Sequence, residues 1–108
     1  MNILVVDDSE DHRELTEGAL RTAGYKDVRL AASANEAFKI MGIGRNSGNG
    51  PLPVDIVLLD IVMPEMDGIE ACAYIRNDQR YEDVPIIMVT SLDDMDSLSN
   101  AFIAGAND

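Results

Sequence analysis

Three observations predict an α/β fold with a doubly wound, parallel sheet. Apolar runs rich in β-branched residues recur at 3–6, 28–31, 56–59 and 86–89. Segments with helical spacing of apolar residues follow each of them. The resulting order, β-α-β-α-β-α-β-α, requires right-handed crossovers at this spacing, and so places helices on both faces of a parallel sheet.

Bulk properties narrow the possibilities. The 108 residues suffice for one domain, 1–108, with one core. A net charge of −12 disfavours direct contact with nucleic acid or an anionic membrane, and favours divalent cations and basic partner surfaces. Cys72 is the only cysteine, so no internal disulfide forms, and a buried thiol is expected. The N-terminal stretch has no basic region of a signal peptide, and no apolar run approaches the ~20 residues of a membrane span. A cytoplasmic location is expected.

Each element has a local reason. The run 3–6 reads as a buried strand and ends in Asp7-Asp8-Ser9, where the first helix begins. That helix is expected to turn Leu15, Ala19, Leu20 and Ala23 to one side, with Gly24 as its C-terminal cap. The run 28–31 is weaker and suits a position nearer an edge. Ser33 and Glu36 have capping-box spacing, and Ala34, Ala37, Phe38 and Met41 form the stripe behind them. The stretch 42–53 is rich in Gly, Asn, Ser and Pro and exceeds the ~2–6 residues usual for such a connection. As a phosphate loop it has the wrong context, since it follows a helix and leads into a strand. After residue 68, Ile69, Cys72, Ala73 and Arg76 keep helical spacing. The run 86–89 then leads through Thr90-Ser91 into a last stripe of Leu98, Ala101, Phe102 and Gly105.

The stretch 56–68 organises the rest. Its apolar run ends in a carboxylate, Asp60, with no adjacent basic partner. A turn comes next, marked by Met63-Pro64 and Asp67-Gly68, in which Asp67 suits an N-cap. Acids at the C-terminal ends of strands stand where open α/β sheets keep their ligands. Asp7 and Asp8 end the first strand and Asp60 the third, and those strands can lie side by side. Three carboxylates so placed repel one another unless neutralised, and hard oxygen donors suit Mg²⁺. Thr90 places a hydroxyl on the same rim. These parts suit phosphoryl transfer to a carboxylate. His12, one helical turn beyond the acids, reads as a solvated helix residue in preference to a metal ligand.

In combination, the acidic pair after strand one, Leu-Leu-Asp-Ile-Val-Met-Pro-Glu-Met-Asp-Gly around strand three and Val-Thr-Ser after strand four resemble the receiver domain of two-component response regulators. The resemblance implies a flavodoxin-like sheet of strand order 2-1-3-4(-5). It implies that Asp60 is the phosphoacceptor and Asp8 the direct metal ligand. Asp7 would hold metal-bound water, and the Val62 carbonyl would complete the protein's share of the Mg²⁺ shell. Thr90 would be the switch hydroxyl, and the small Ser91 would leave the site accessible. A sensor histidine kinase or phosphotransfer protein would donate the phosphate, and a downstream effector would read the change. Such a domain assists its own phosphorylation and dephosphorylation but is not a classical enzyme.

The family also has an aromatic residue in a fifth strand, a lysine after it, and then a fifth helix. Residues 105–108 resemble the lead-in to that strand, and neither Lys26 nor Lys39 can take the lysine's role. The chain is therefore expected to be C-terminally incomplete, with an open edge on its fourth strand, one sheet face short of a helix, and a tendency to form a homodimer. A pseudo-receiver that acts only as an interaction module is the main alternative. An aspartate-nucleophile phosphohydrolase would need an acid where Ser9 stands, and a flavin-binding phosphate loop would fall on the acids at 7, 8, 10 and 11.

Overall fold

The computed structural model describes residues 1–43, 54–63, 65–89, 105 and 107. Strands β1 (Asn2–Val6), β2 (Asp27–Ala31), β3 (Ile56–Asp60) and β4 (Ile86–Val89) form one sheet in the order β2-β1-β3-β4, with every neighbouring pair parallel. Helices α1 (Glu10–Thr22), α2 (Ala34–Met41) and α3 (Gly68–Arg76) connect them, and a 3-10 turn, Gln79–Tyr81, precedes β4. The predicted order and the edge position of β2 are both found. The helix expected after β4, and residues 44–53 of the Gly-rich stretch, lie outside the described residues.

The two faces of the sheet differ in cover. On one, Leu4, Val6, Val57, Leu59 and Ile86 are sealed beneath α2 and α3. All four residues of the predicted α2 stripe are buried. The α3 stripe is out of phase with the expectation. Gly68, Ala71, Cys72 and Ile75 are buried, whereas Ala73 is exposed and Ile69 only half-buried. The helix starts at Gly68 itself, pressed against β3, and that contact sets its rotation.

On the other face, Ile3, Val5 and Val28 form a smaller cluster packed against Leu20 of α1. No residue of α1 is buried, and Leu15 is 72% exposed, against the expected inward stripe. One helix, about 10 Å across, cannot cover four strands spaced about 4.8 Å apart. Among the described residues no second helix shares that face.

The helix ends follow their predicted caps. Ser33 accepts the Glu36 N–H at 3.2 Å, while the Glu36 carboxylate reaches back to the Ala32 N–H, one residue beyond the expected partner. Gly24, at φ +103, follows the α1 C-cap. The end of α2 is held from a distance: the Tyr81 hydroxyl donates to the Met41 carbonyl at 2.6 Å and Arg80 to that of Gly42 at 2.6 Å.

Arg76 ties the end of α3 to the segments before and after β4. Its guanidinium donates to the carbonyls of Gly105 at 2.8 Å, Tyr81 at 3.0 Å and Val84 at 2.5 Å, and to Asn107 Oδ1 at 2.6 Å. Asn107 in turn donates its N–H to the Ile86 carbonyl at 2.9 Å and accepts the Ile86 N–H at 2.8 Å. The expected open edge of β4 is thus corrected at its first residue, where Asn107 supplies both a donor and an acceptor.

Candidate functional site

Adjacent parallel strands bring the acids together. Val6 pairs with Leu59 across β1 and β3, so Asp7 and Asp60 leave the sheet at the same level. Asp7 is 5% exposed and firmly held. Its N–H donates to the Ala31 carbonyl at 3.0 Å, its carbonyl accepts Arg13 Nη1 at 2.8 Å, and its Oδ1 accepts the Ser9 N–H at 2.9 Å. Ser9 also caps α1 by accepting the His12 N–H at 3.3 Å. Asp8 is exposed, and Asp60 is half-buried with Oδ1 accepting the Val62 N–H at 3.2 Å.

Carboxylate oxygens of Asp7, Asp8 and Asp60 lie within 4.8 Å of one another. The Asp60 carboxyl is pushed up to about 6, first by burial and then by the charge of Asp7, with a smaller push from Asp8; the Val62 N–H opposes them. This electrostatic crowding is what a cation relieves. An all-oxygen donor set, part buried and part open to water, fits Mg²⁺, which keeps several of its own waters.

The loop after Asp60 is built for close approach. The Gly68 N–H donates to the Ile61 carbonyl at 2.8 Å, and a Cβ on Gly68 would fall 2.1 Å from the Asp60 carbonyl oxygen. Asp67 caps α3 by accepting the Glu70 N–H at 2.9 Å, and so serves the helix, as expected. Glu65 adopts φ 68, the left-handed region.

Of the residues singled out in the sequence, Asp7, Asp8 and Asp60 converge, and Val62 stands exposed beside them. Thr90 and Ser91 lie outside the described residues. Sequence reasoning missed Arg13, whose grip on the Asp7 carbonyl depends on the angle between α1 and β1. His12, read as a solvated helix residue, is exposed as expected, with its Nδ1 3.6 Å from Asp7 Oδ2.

A parallel doubly wound sheet carrying an acid triad on the rim of its two central strands defines a receiver. The chain matches the response regulator receiver domain family over residues 3–108 and belongs to it. Among curated proteins it is similar to a chemotaxis protein CheY homolog of Campylobacter jejuni, 35% identical over 107 residues that cover 99% of this chain and 77% of that one. Chemotaxis protein CheY1 of Helicobacter pylori is 32% identical, covering 99% and 81%. Among solved structures, Vibrio cholerae CheY4 superimposes with a TM-score of 0.82 at 30% identity, covering 97% of this chain and 80% of that one. The receiver domain of the histidine kinase CKI1 from Arabidopsis thaliana, solved in complex with Mg²⁺ and BeF3−, gives 0.82 at 31%, covering 97% and 76%. This is a receiver domain of the CheY-like kind, in a family of signalling phosphoacceptors, and no helix among its described residues is long and apolar enough to cross a membrane.

Proposed function

We propose that the chain is a phosphoryl-accepting switch whose acceptor is Asp60. The observation that carries this reading is the crowding of Asp60 by Asp7 and Asp8 within 4.8 Å, at the end of a central strand. With its carboxyl near 6, Asp60 is mostly ionised at neutral pH and available as a nucleophile. Its oxygen attacks the phosphorus of a partner's phosphohistidine. The new O–P bond forms as the P–N bond breaks, and the departing imidazole nitrogen keeps the electron pair and takes a proton from solvent.

Asp8 and Asp60 are the residues that would hold Mg²⁺ directly, with Asp7 acting through water and Val62 through its carbonyl. When bound, the ion supplies positive charge that screens the nucleophile from the phosphoryl oxygens. The CKI1 receiver's complex with Mg²⁺ and BeF3− supports this assignment by similarity. Arg13 and Ser9 hold Asp7 in place, so the site is organised before any ligand arrives. Thr90 is the hydroxyl proposed to meet the phosphoryl group, with Ser91 beside it leaving room. A histidine kinase or phosphotransfer protein is the donor, and an effector reads the shift around Thr90.

Phosphotransfer from a competent donor kinase with radiolabelled phosphate tests the reading. Labelling that needs Mg²⁺ and vanishes in Asp60→Asn is expected. Labelling that persists in Asp60→Asn would move the acceptor elsewhere, and no labelling from any donor would favour the interaction-module alternative.

A further inference from the structure

We infer that Arg13, although it carries the same sign of charge as the ion, raises the cation affinity of the acid site by positioning Asp7. This rests on the metal-binding role proposed for Asp7, Asp8 and Asp60, and adds a positioning residue to it.

The need for Arg13 comes from where β2 stops. Asp7 follows β1, and its N–H still donates to the carbonyl of Ala31, the last residue of β2. In a parallel ladder the N–H and C=O of one residue face the same neighbouring strand, so the Asp7 carbonyl also points toward β2, past its end. Val6 and Ala31 are in register, which makes the Ser33 N–H the next donor in line. Ser33 instead begins α2 as its N-cap. Asp7 is 5% exposed, and a carbonyl buried there needs a donor. Among the described residues Arg13 Nη1 supplies it, at 2.8 Å.

The guanidinium is half-buried and forms no ion pair with Asp7, Asp8 or Asp60 among the described residues. It is spent on the main chain, so the three carboxylates keep their charge for an ion. The bond also joins the end of β1 to α1, a helix that has no buried residue of its own. Arg13 therefore acts on the site in two opposed ways. Its positive charge repels a cation, but a half-exposed charge is screened by water and salt. Its hold on the buried Asp7 is not screened in this way, and loss of an outer partner of a metal ligand lowers metal affinity about tenfold or more. Positioning is the larger effect.

The test compares the native chain with Arg13→Met and Arg13→Gln, which remove the charge, and Arg13→Lys, which keeps it. Calorimetric titration with Mg²⁺ gives the affinity. The ¹³C shift of the Asp7 carbonyl in the cation-free proteins reports its hydrogen bond. Urea unfolding confirms that each variant is folded, and Arg13→Gln serves if Arg13→Met is not. The expected result is roughly tenfold weaker Mg²⁺ binding in the neutral variants, with affinity following the carbonyl shift across all the proteins. Tighter binding in the neutral variants would show that Arg13 acts by its charge alone and overturn the inference. Unchanged affinity with a shifted carbonyl would overturn it too, as would lost affinity with an unshifted one. Absence of Mg²⁺ binding by the native chain would instead remove the metal site of the proposed function, and this inference with it.

Discussion

Gly68 presses its bare α-carbon against the main-chain carbonyl of Asp60, so closely that a Cβ would sit 2.1 Å from that oxygen. The obstacle is backbone on both counts, since the Ile61 α-carbon would also lie only 2.8 Å away. Neither can rotate aside. Gly68→Ala should therefore destabilise the fold by about 3 kcal/mol, the upper range for overpacking. Urea unfolding measures this directly, and a loss under about 1 kcal/mol would mean that α3 slides along β3 without penalty.

The raised carboxyl of Asp60 makes stability depend on pH. The folded chain holds this proton up to about 6, against 3.8 for the ordinary group. Its contribution to stability is thus complete below about 4 and is lost as pH rises through about 6. In the presence of a chelator, Asp60→Asn should flatten that decline. At pH 7 it should be more stable than native by about 1 kcal/mol, a figure reduced for solvent screening of this half-exposed group. Denaturation of both proteins at pH 4.5 and 7 decides it: parallel curves would show that the Asp60 carboxyl is not raised by its burial and its acidic neighbours.

Glu65 occupies φ 68 without being glycine. Asparagine tolerates that region and β-branched residues do not. Glu65→Asn is expected to stabilise by roughly 0.5 kcal/mol, and Glu65→Val to destabilise by about 1 kcal/mol or more. If both variants unfold at the same denaturant concentration as native, the loop is not held in this conformation in solution.

Arg76 joins α3 to Gly105, Tyr81, Val84 and Asn107 through one planar group. Lysine cannot reproduce that fork. Arg76→Lys should cost about 2 kcal/mol and speed hydrogen exchange at the Ile86 and Asn107 amides, whose bonds depend on the position of Asn107. Unchanged exchange there would show that Asn107 holds the edge of β4 unaided.

Much of this was legible in the chain because it is local or periodic. Alternating apolar runs, the Ser33 and Asp67 caps and the α2 stripe all depend on residues within one or two turns of each other. The acid triad was legible because an unpaired Asp60 at the end of an apolar run has few structural explanations. The rest depends on angles and distant acceptors. Arg76 and Tyr81 bond to carbonyls, which every residue carries and no sequence marks. The phase of α3 follows from the contact of Gly68 with β3, and the exposure of Leu15 from how little of the sheet one helix covers.

The pairing of β1 with β3 also has a consequence for how freely the chain can lengthen between them. The Asn2 N–H meets the Asp55 carboxylate across 53 residues of sequence, so that stretch must close on itself during folding. Closure entropy grows only as the logarithm of length, and some eight additional residues in such a loop cost about 0.1 kcal/mol. Chain entropy therefore sets almost no limit on the segment between α2 and β3. Residues added there would leave the acids on the rim in place, because the strands that carry them are fixed by register and not by the tether.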